Sequence, residues 1–183
     1  MGLIMSTVNY IFGGGGGGPE MDVPDKVTGL SKREQLAITS SWDLIKVNAK
    51  ENGVELFIRL FKAYPKSQDF FEHFKGKDPE SLRKKTMLRV HGTTVMHALN
   101  SMVESIDDPE CLIGLLERNA LSHYPRGIRI QHYQELWIVF INLLKDALGS
   151  KCTPETVAAW EKALKVINSV IETELTKQSN IKD

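Results

Sequence analysis

Two histidines, His91 and His123, are the residues of this chain best placed to do chemistry. His91 stands in a row with Leu88, Val95, Leu99 and Met102, and His123 ends a row of Leu112, Leu116 and Ala120. Apolar residues spaced three and four apart mark the buried stripe of a helix. A histidine on such a stripe points inward, where both ring nitrogens need partners. A single inward histidine commonly satisfies itself on a carbonyl within a core. Two on facing stripes can instead grip a group between them, because neutral imidazole is the commonest protein ligand for a metal.

The elements that position these histidines are legible from helix punctuation. Ser31 followed by Glu34 forms a capping box, which predicts a helix carrying Ile38, Trp42 and Ile45 inward. Gly53 is expected to loosen the junction to a second helix, with Val54, Phe57, Ile58 and Phe61 on its apolar face, and Pro65 interrupts that pattern. Asp78-Pro79 reads as an N-cap followed by proline in the first turn, opening the helix that holds His91. Asp108-Pro109 repeats the device ahead of His123, and Pro125 with Gly127 ends that helix. A long amphipathic helix follows, with Tyr133, Leu136, Trp137, Phe140, Ile141 and Leu144. Thr153-Pro154 starts the last helix, with Val157, Trp160, Leu164, Ile167 and Ile171. No segment alternates convincingly with period two, so the fold class is all-α.

The 183 residues suffice for one compact domain with a sizeable core. A formal net charge of zero argues against nucleic acid as a partner. Cys111 and Cys152 lack a C-x-x-C spacing and read as free, inert thiols of a reducing compartment, with a single bridge as the open alternative. No apolar run reaches bilayer-spanning length. Residues 13–18 are all glycine and Pro19 follows, so residues 1–26 read as a flexible tail without a fixed fold and 27–183 as the folded domain.

Taken together, four motifs resemble the globin family over roughly residues 28–176. In Y-P-K-S-Q-D-F-F-E-H-F, Pro65 lies six residues before Phe71, and Phe74 follows three later, similar to the turn that lays a phenylalanine against the haem. L-R-V-H-G-T-T-V resembles the distal-histidine helix, with His91 distal and Val95 one turn on. S-H-Y-P-R-G-I resembles the proximal-histidine segment, with His123, Arg126, Gly127 and Ile128 in order. Trp42 precedes Phe57 by fifteen residues, as a first-helix tryptophan precedes a distal-pocket residue in the family.

The resemblance implies seven to eight helices around a haem b pocket. It implies His123 as the proximal iron ligand and His91 as a distal hydrogen-bond donor or sixth ligand. Phe57, Phe71, Phe74, Val95 and Ile128 would wall the pocket. Arg126 would reach a haem propionate, and Thr94 would stand near the pocket mouth. For Phe57, Phe71 and Phe74 the plain reading is core packing, and for Arg126 and Thr94 it is solvent exposure. His73, His97 and His132 lack a partner pattern and are expected on the surface.

The implied function is reversible binding of dioxygen or a related diatomic gas, for transport or storage. A bis-histidyl globin that cycles ferrous and ferric iron, or processes nitric oxide or nitrite, is the alternative. A sensor that transmits haem state to a partner is a third reading, and whether the protein is an enzyme stays open with them. One departure is Asn119, which stands where many globins place a leucine against the haem, and which would either weaken that packing or bond the His123 region.

A second departure is the tail. It begins M-G-L-I-M-S, matching the pattern for N-myristoylation of Gly2, and some invertebrate globins resemble it in being N-acylated. A single acyl chain binds membranes only marginally, and residues 1–25 contain Glu20, Asp22 and Asp25 but no Lys or Arg. The expectation is a cytoplasmic protein with reversible membrane association through Gly2. A disordered tail or a docking peptide is the alternative. A secretory signal is disfavoured because there is no basic n-region.

Overall fold

The structure is a computed structural model that describes residues 18–181. Seven α-helices occur among the described residues: α1 (Lys32–Lys46), α2 (Ala49–Ala63), α3 (Pro79–Leu82), α4 (Thr86–Glu104), α5 (Pro109–His123), α6 (Ile130–Leu148) and α7 (Pro154–Asn180). Short 3-10 turns cover Pro19–Asp22, Pro65–Phe70, Tyr124–Arg126 and Gly149–Lys151. No strand forms among the described residues beyond an isolated bridge between Pro24 and Ser31.

The helix starts follow from their caps. Ser31 Oγ accepts the Glu34 amide and the Ser31 amide donates to Glu34 Oε2 at 2.7 Å, so two N–H groups at the start of α1 find partners. Asp78, Asp108 and Thr153 cap α3, α5 and α7 through side-chain oxygens, each with proline in the first turn, where no amide is needed. Gly127, at φ +82°, turns the chain out of the Tyr124–Arg126 segment toward α6.

Three expectations are corrected. Asp78-Pro79 does not open the helix of His91. It opens the single turn α3, which stops where Leu82 is fully buried and Arg83 is held by Glu80 and by Glu55 of α2. Lys85 is extended, and α4 begins afresh at Thr86. Gly53 is likewise no junction. The chain bends at Asn48, and Gly53 lies inside α2 facing Gly92 of α4. A Cβ on Gly92 would come within 2.7 Å of the Gly53 carbonyl carbon, and one on Gly53 would be closer still to the Gly92 carbonyl. The two glycines let the helices cross backbone to backbone. The third correction concerns residues 18–26, which carry a 3-10 turn, and there Asp22 pairs with Arg33 at 2.7 Å. The remainder of the expected tail, with Gly2 and most of the glycine run, lies outside the described residues.

The core centres on Trp42, Phe140 and Trp160, whose ring centroids lie 5.1–6.4 Å apart in tilted and edge-on arrangements. Each tryptophan N–H is satisfied at 2.9 Å: Trp42 by Asn100, Trp160 by Ser41 and Trp137 by Asn168. These bonds tie α1 to α4, α1 to α7 and α6 to α7. They fix the frame in which α4 and α5 present their histidines.

Candidate haem pocket

His123 is the last residue of α5, with its ring half-buried. Its Nδ1 lies 2.8 Å from the Asn119 carbonyl oxygen. A carbonyl can only accept, so Nδ1 carries the proton and Nε2 presents a bare lone pair. Ser122 Oγ lies 3.0 Å from the same Nδ1 and itself donates to the Asn119 carbonyl at 2.8 Å. No described group hydrogen-bonds Nε2.

His91 lies in the N-terminal third of α4, partly buried, one turn after the fully buried Leu88. Aromatic rings surround it: its centroid is 4.7 Å from Phe57 and 5.0 Å from Phe71, both edge-on. Phe57 and Phe71 are 5.7 Å apart, and Phe74 stacks on Phe71 at 5.7 Å. α2 thus supplies one wall, and the chain that follows the Pro65–Phe70 turn supplies another. Burial, with the nearby charges of His123 and Arg126 added, pushes the His91 imidazole below the usual histidine range. His91 is carried by α4 and His123 by the end of α5.

The other sequence-predicted residues fall as follows. Val95 and Ile128 are half-buried and pack against the core. Phe57 and Phe74 are buried and Phe71 partly so. Thr94 is exposed and its hydroxyl donates to the Val90 carbonyl, so it is turned along its own helix. Arg126 is exposed and its guanidinium bonds the Ser122 carbonyl, one turn back. His73 and His97 are exposed, as expected. His132 is not a plain surface residue: it is half-buried, its Nδ1 accepts the Arg129 amide at 2.9 Å, and its ring meets Phe70 at 4.7 Å. It caps α6, a role hidden in the sequence because histidine is an unusual capping residue. Cys111 and Cys152 are free thiols.

The chain matches the Globin family over residues 54–171. It is 37% identical to a globin of Nerita albicilla across 82% of this chain and 96% of that protein. It is 30% identical to a globin of Tritia mutabilis across 76% of this chain and 97% of that one. It is also 30% identical to cytoglobin-1 of Oryzias latipes, across 81% and 85%. The chain belongs to the globin family.

As a globin it takes haem b as its cofactor and binds diatomic gas. The residues present fit that group. Nε2 of His123 is a bare donor of electrons, and His91, from another helix, makes no hydrogen bond to a described residue. Phe57 and Phe71 pack against His91, giving it an apolar aromatic surround suited to a flat apolar ring. Two residues of this globin's pocket escaped the motif reading. Phe61 packs at 5.4 Å against Phe71 and 5.9 Å against Phe57, forming the back of the wall. Tyr133 of α6 lies 5.8 Å from the His123 ring and donates to Asn119 Oδ1 at 2.8 Å. Spacing on α2 marks Phe61 as core, whereas nothing local to Tyr133 or Asn119 announces that they meet.

Proposed function

We propose that this globin binds dioxygen or a related diatomic gas reversibly, with His123 as the proximal iron ligand and His91 over the opposite face. The observation that carries this reading is the tautomer of His123, since Nδ1–H on the Asn119 carbonyl leaves Nε2 as a lone pair free of any described partner. Bound haem supplies a ferrous iron that takes up the gas. The chain's own residues do the rest: His123 holds the iron, and the Asn119 carbonyl fixes the plane of its ring. His91, neutral at physiological pH, offers an N–H to the gas ligand. Phe57, Phe71, Phe74, Val95 and Ile128 exclude water, which slows oxidation of the iron. Arg126 is exposed and bonded to the Ser122 carbonyl, and released from it the guanidinium would be available to a propionate.

The test is His123→Ala. The variant is expected to lose its Soret band, or to regain it only when imidazole is added as a replacement ligand. Wild-type haem content and spectrum in that variant would sink the assignment.

A second reading has its own support. His91 has no hydrogen-bonding partner among the described residues and is held neutral, which also suits a sixth ligand to iron. Such a bis-histidyl globin fits redox signalling or sensing better than oxygen supply, because gas must first displace an imidazole. The deoxy ferrous absorption spectrum separates the two: sharp split visible bands mark six-coordinate iron, and one broad band marks five-coordinate iron. The M-G-L-I-M-S sequence further supports a myristoyl group on Gly2 and reversible attachment of this cytoplasmic globin to membranes.

A further inference from the structure

We propose that Tyr133 and the side chain of Asn119 act as positioning residues that set how strongly His123 donates to the iron. The inference rests on the reading of His123 as the proximal ligand and concerns the shell behind it.

Three bonds meet at Asn119. Its carbonyl accepts His123 Nδ1–H at 2.8 Å and the Ser122 hydroxyl at 2.8 Å, and its side-chain oxygen accepts the Tyr133 phenol at 2.8 Å. Tyr133 is 7% exposed and belongs to α6, while Asn119, Ser122 and His123 form the last turn of α5. The phenol therefore clamps the ligand's own turn to a different helix. Burial raises the phenol well above the usual tyrosine range, so it stays protonated and remains the donor of this bond.

Asn119 lies four residues before His123 near the C-terminal end of α5, and a helix end frays readily because the carbonyls beyond it lack partners within the helix. Here the carbonyl in question also carries the ligand's N–H. Holding Asn119 on its side-chain oxygen keeps that carbonyl aligned with Nδ1–H. A well-aligned Nδ1–H···O bond makes the imidazole a stronger base, and outer-shell bonds of this kind tune both the metal–ligand bond and the reduction potential. A leucine in place of Asn119 would pack but could not be clamped. Polarity at this otherwise apolar position thus gives α6 a grip on the proximal turn.

The experiment measures the iron–histidine stretching frequency by resonance Raman on haem-loaded ferrous protein. A His91→Leu background leaves the iron one protein ligand, so the band is visible whatever the native coordination. Tyr133→Phe is expected to move the band to lower frequency and broaden it, and to raise the ferric/ferrous midpoint potential. Asn119→Leu, which keeps the branched shape of the side chain but removes its acceptor, is expected to do the same. The double variant is expected to shift no further than either single one, because both break the same relay.

Unmoved frequency and potential in both single variants, or fully additive shifts, would overturn the proposal. His123→Ala separates this failure from failure of the underlying reading. If the band survives that substitution, His123 is not the ligand. If it vanishes there yet ignores Tyr133 and Asn119, only the relay is wrong.

Discussion

Each residue at the pocket is defined by the partner it keeps or lacks. His123 commits Nδ1 to the Asn119 carbonyl, and no described group hydrogen-bonds its Nε2. His91 sits among Phe57 and Phe71 with no hydrogen bond to a described group. Its low proton affinity follows from burial first and from the charges of His123 and Arg126 second. Replacing it separates two mechanisms. In a five-coordinate site, His91→Leu removes the N–H that holds the gas ligand. Oxygen release and autoxidation should then both speed up, on the order of tenfold or more for a lost bond worth ~1.4 kcal/mol or above. In a six-coordinate site the same change should convert the deoxy spectrum to the five-coordinate form. Unchanged spectrum and unchanged ligand kinetics together would show that His91 faces neither iron nor gas.

At the scale of elements, the pocket depends on how α2 and α4 cross. Phe57 lies one turn beyond Gly53 on α2, and His91 is the neighbour of Gly92 on α4. Gly53→Ala forces a methyl group into the Gly92 backbone. Backbone cannot give way as a flexible side chain can, so the expected cost is about 1–3 kcal/mol, read as a lower urea midpoint at unchanged slope. A wild-type midpoint would show that the crossing has slack. A second element-scale device is the ion network that ties α2, α3 and α6 together. Arg59 bridges Glu55 and Asp146, Arg83 bridges Glu55 and Glu80, and Lys62 reaches Glu80. Hydrogen bonds from Arg83 and then Lys62 hold the Glu80 carboxyl down to about 2, so its folded value lies below its unfolded one. The stabilisation is therefore present above the ordinary glutamate range and is lost as pH falls through it toward pH 2. Glu80→Gln should flatten the fall in thermal stability between about pH 5 and 2. An acid limb as steep as wild type would show that the pair contributes nothing. Because these groups are exposed, added salt should shrink the difference.

For the whole molecule, the described residues form one helical body that rests on a core of tryptophans and phenylalanines. No described helix is long and apolar enough to cross a membrane, and the M-G-L-I-M-S start motivates a test of N-acylation at Gly2. One acyl chain with acidic Glu20, Asp22 and Asp25 nearby predicts partial, reversible association. Co-expression with an N-myristoyltransferase should add one acyl mass to the N-terminal peptide. Gly2→Ala should abolish that mass and move the protein to the soluble fraction. An unmodified N-terminal glycine in the native host would remove the anchor and leave the pocket untouched.

The helices were legible from the sequence because their signals are local. Caps at Ser31, Asp108 and Thr153, prolines in first turns and apolar rows each act within one or two turns of chain. The rows also pointed His91 and His123 inward, and four spaced motifs carried the family. What only the tertiary structure decided depends on contacts between distant segments. Gly53 looked like a loose joint, and its meaning appeared only when Gly92 was found against it. Asp78-Pro79 looked like the start of a long helix, but Leu82 in the core and Arg83 on Glu55 ended it after one turn. His132 gained its role from the Arg129 amide, and Asn119 from a phenol fourteen residues away. A hydrogen bond needs its two atoms within about 3 Å, and sequence periodicity fixes which face a residue occupies but not which partner arrives there.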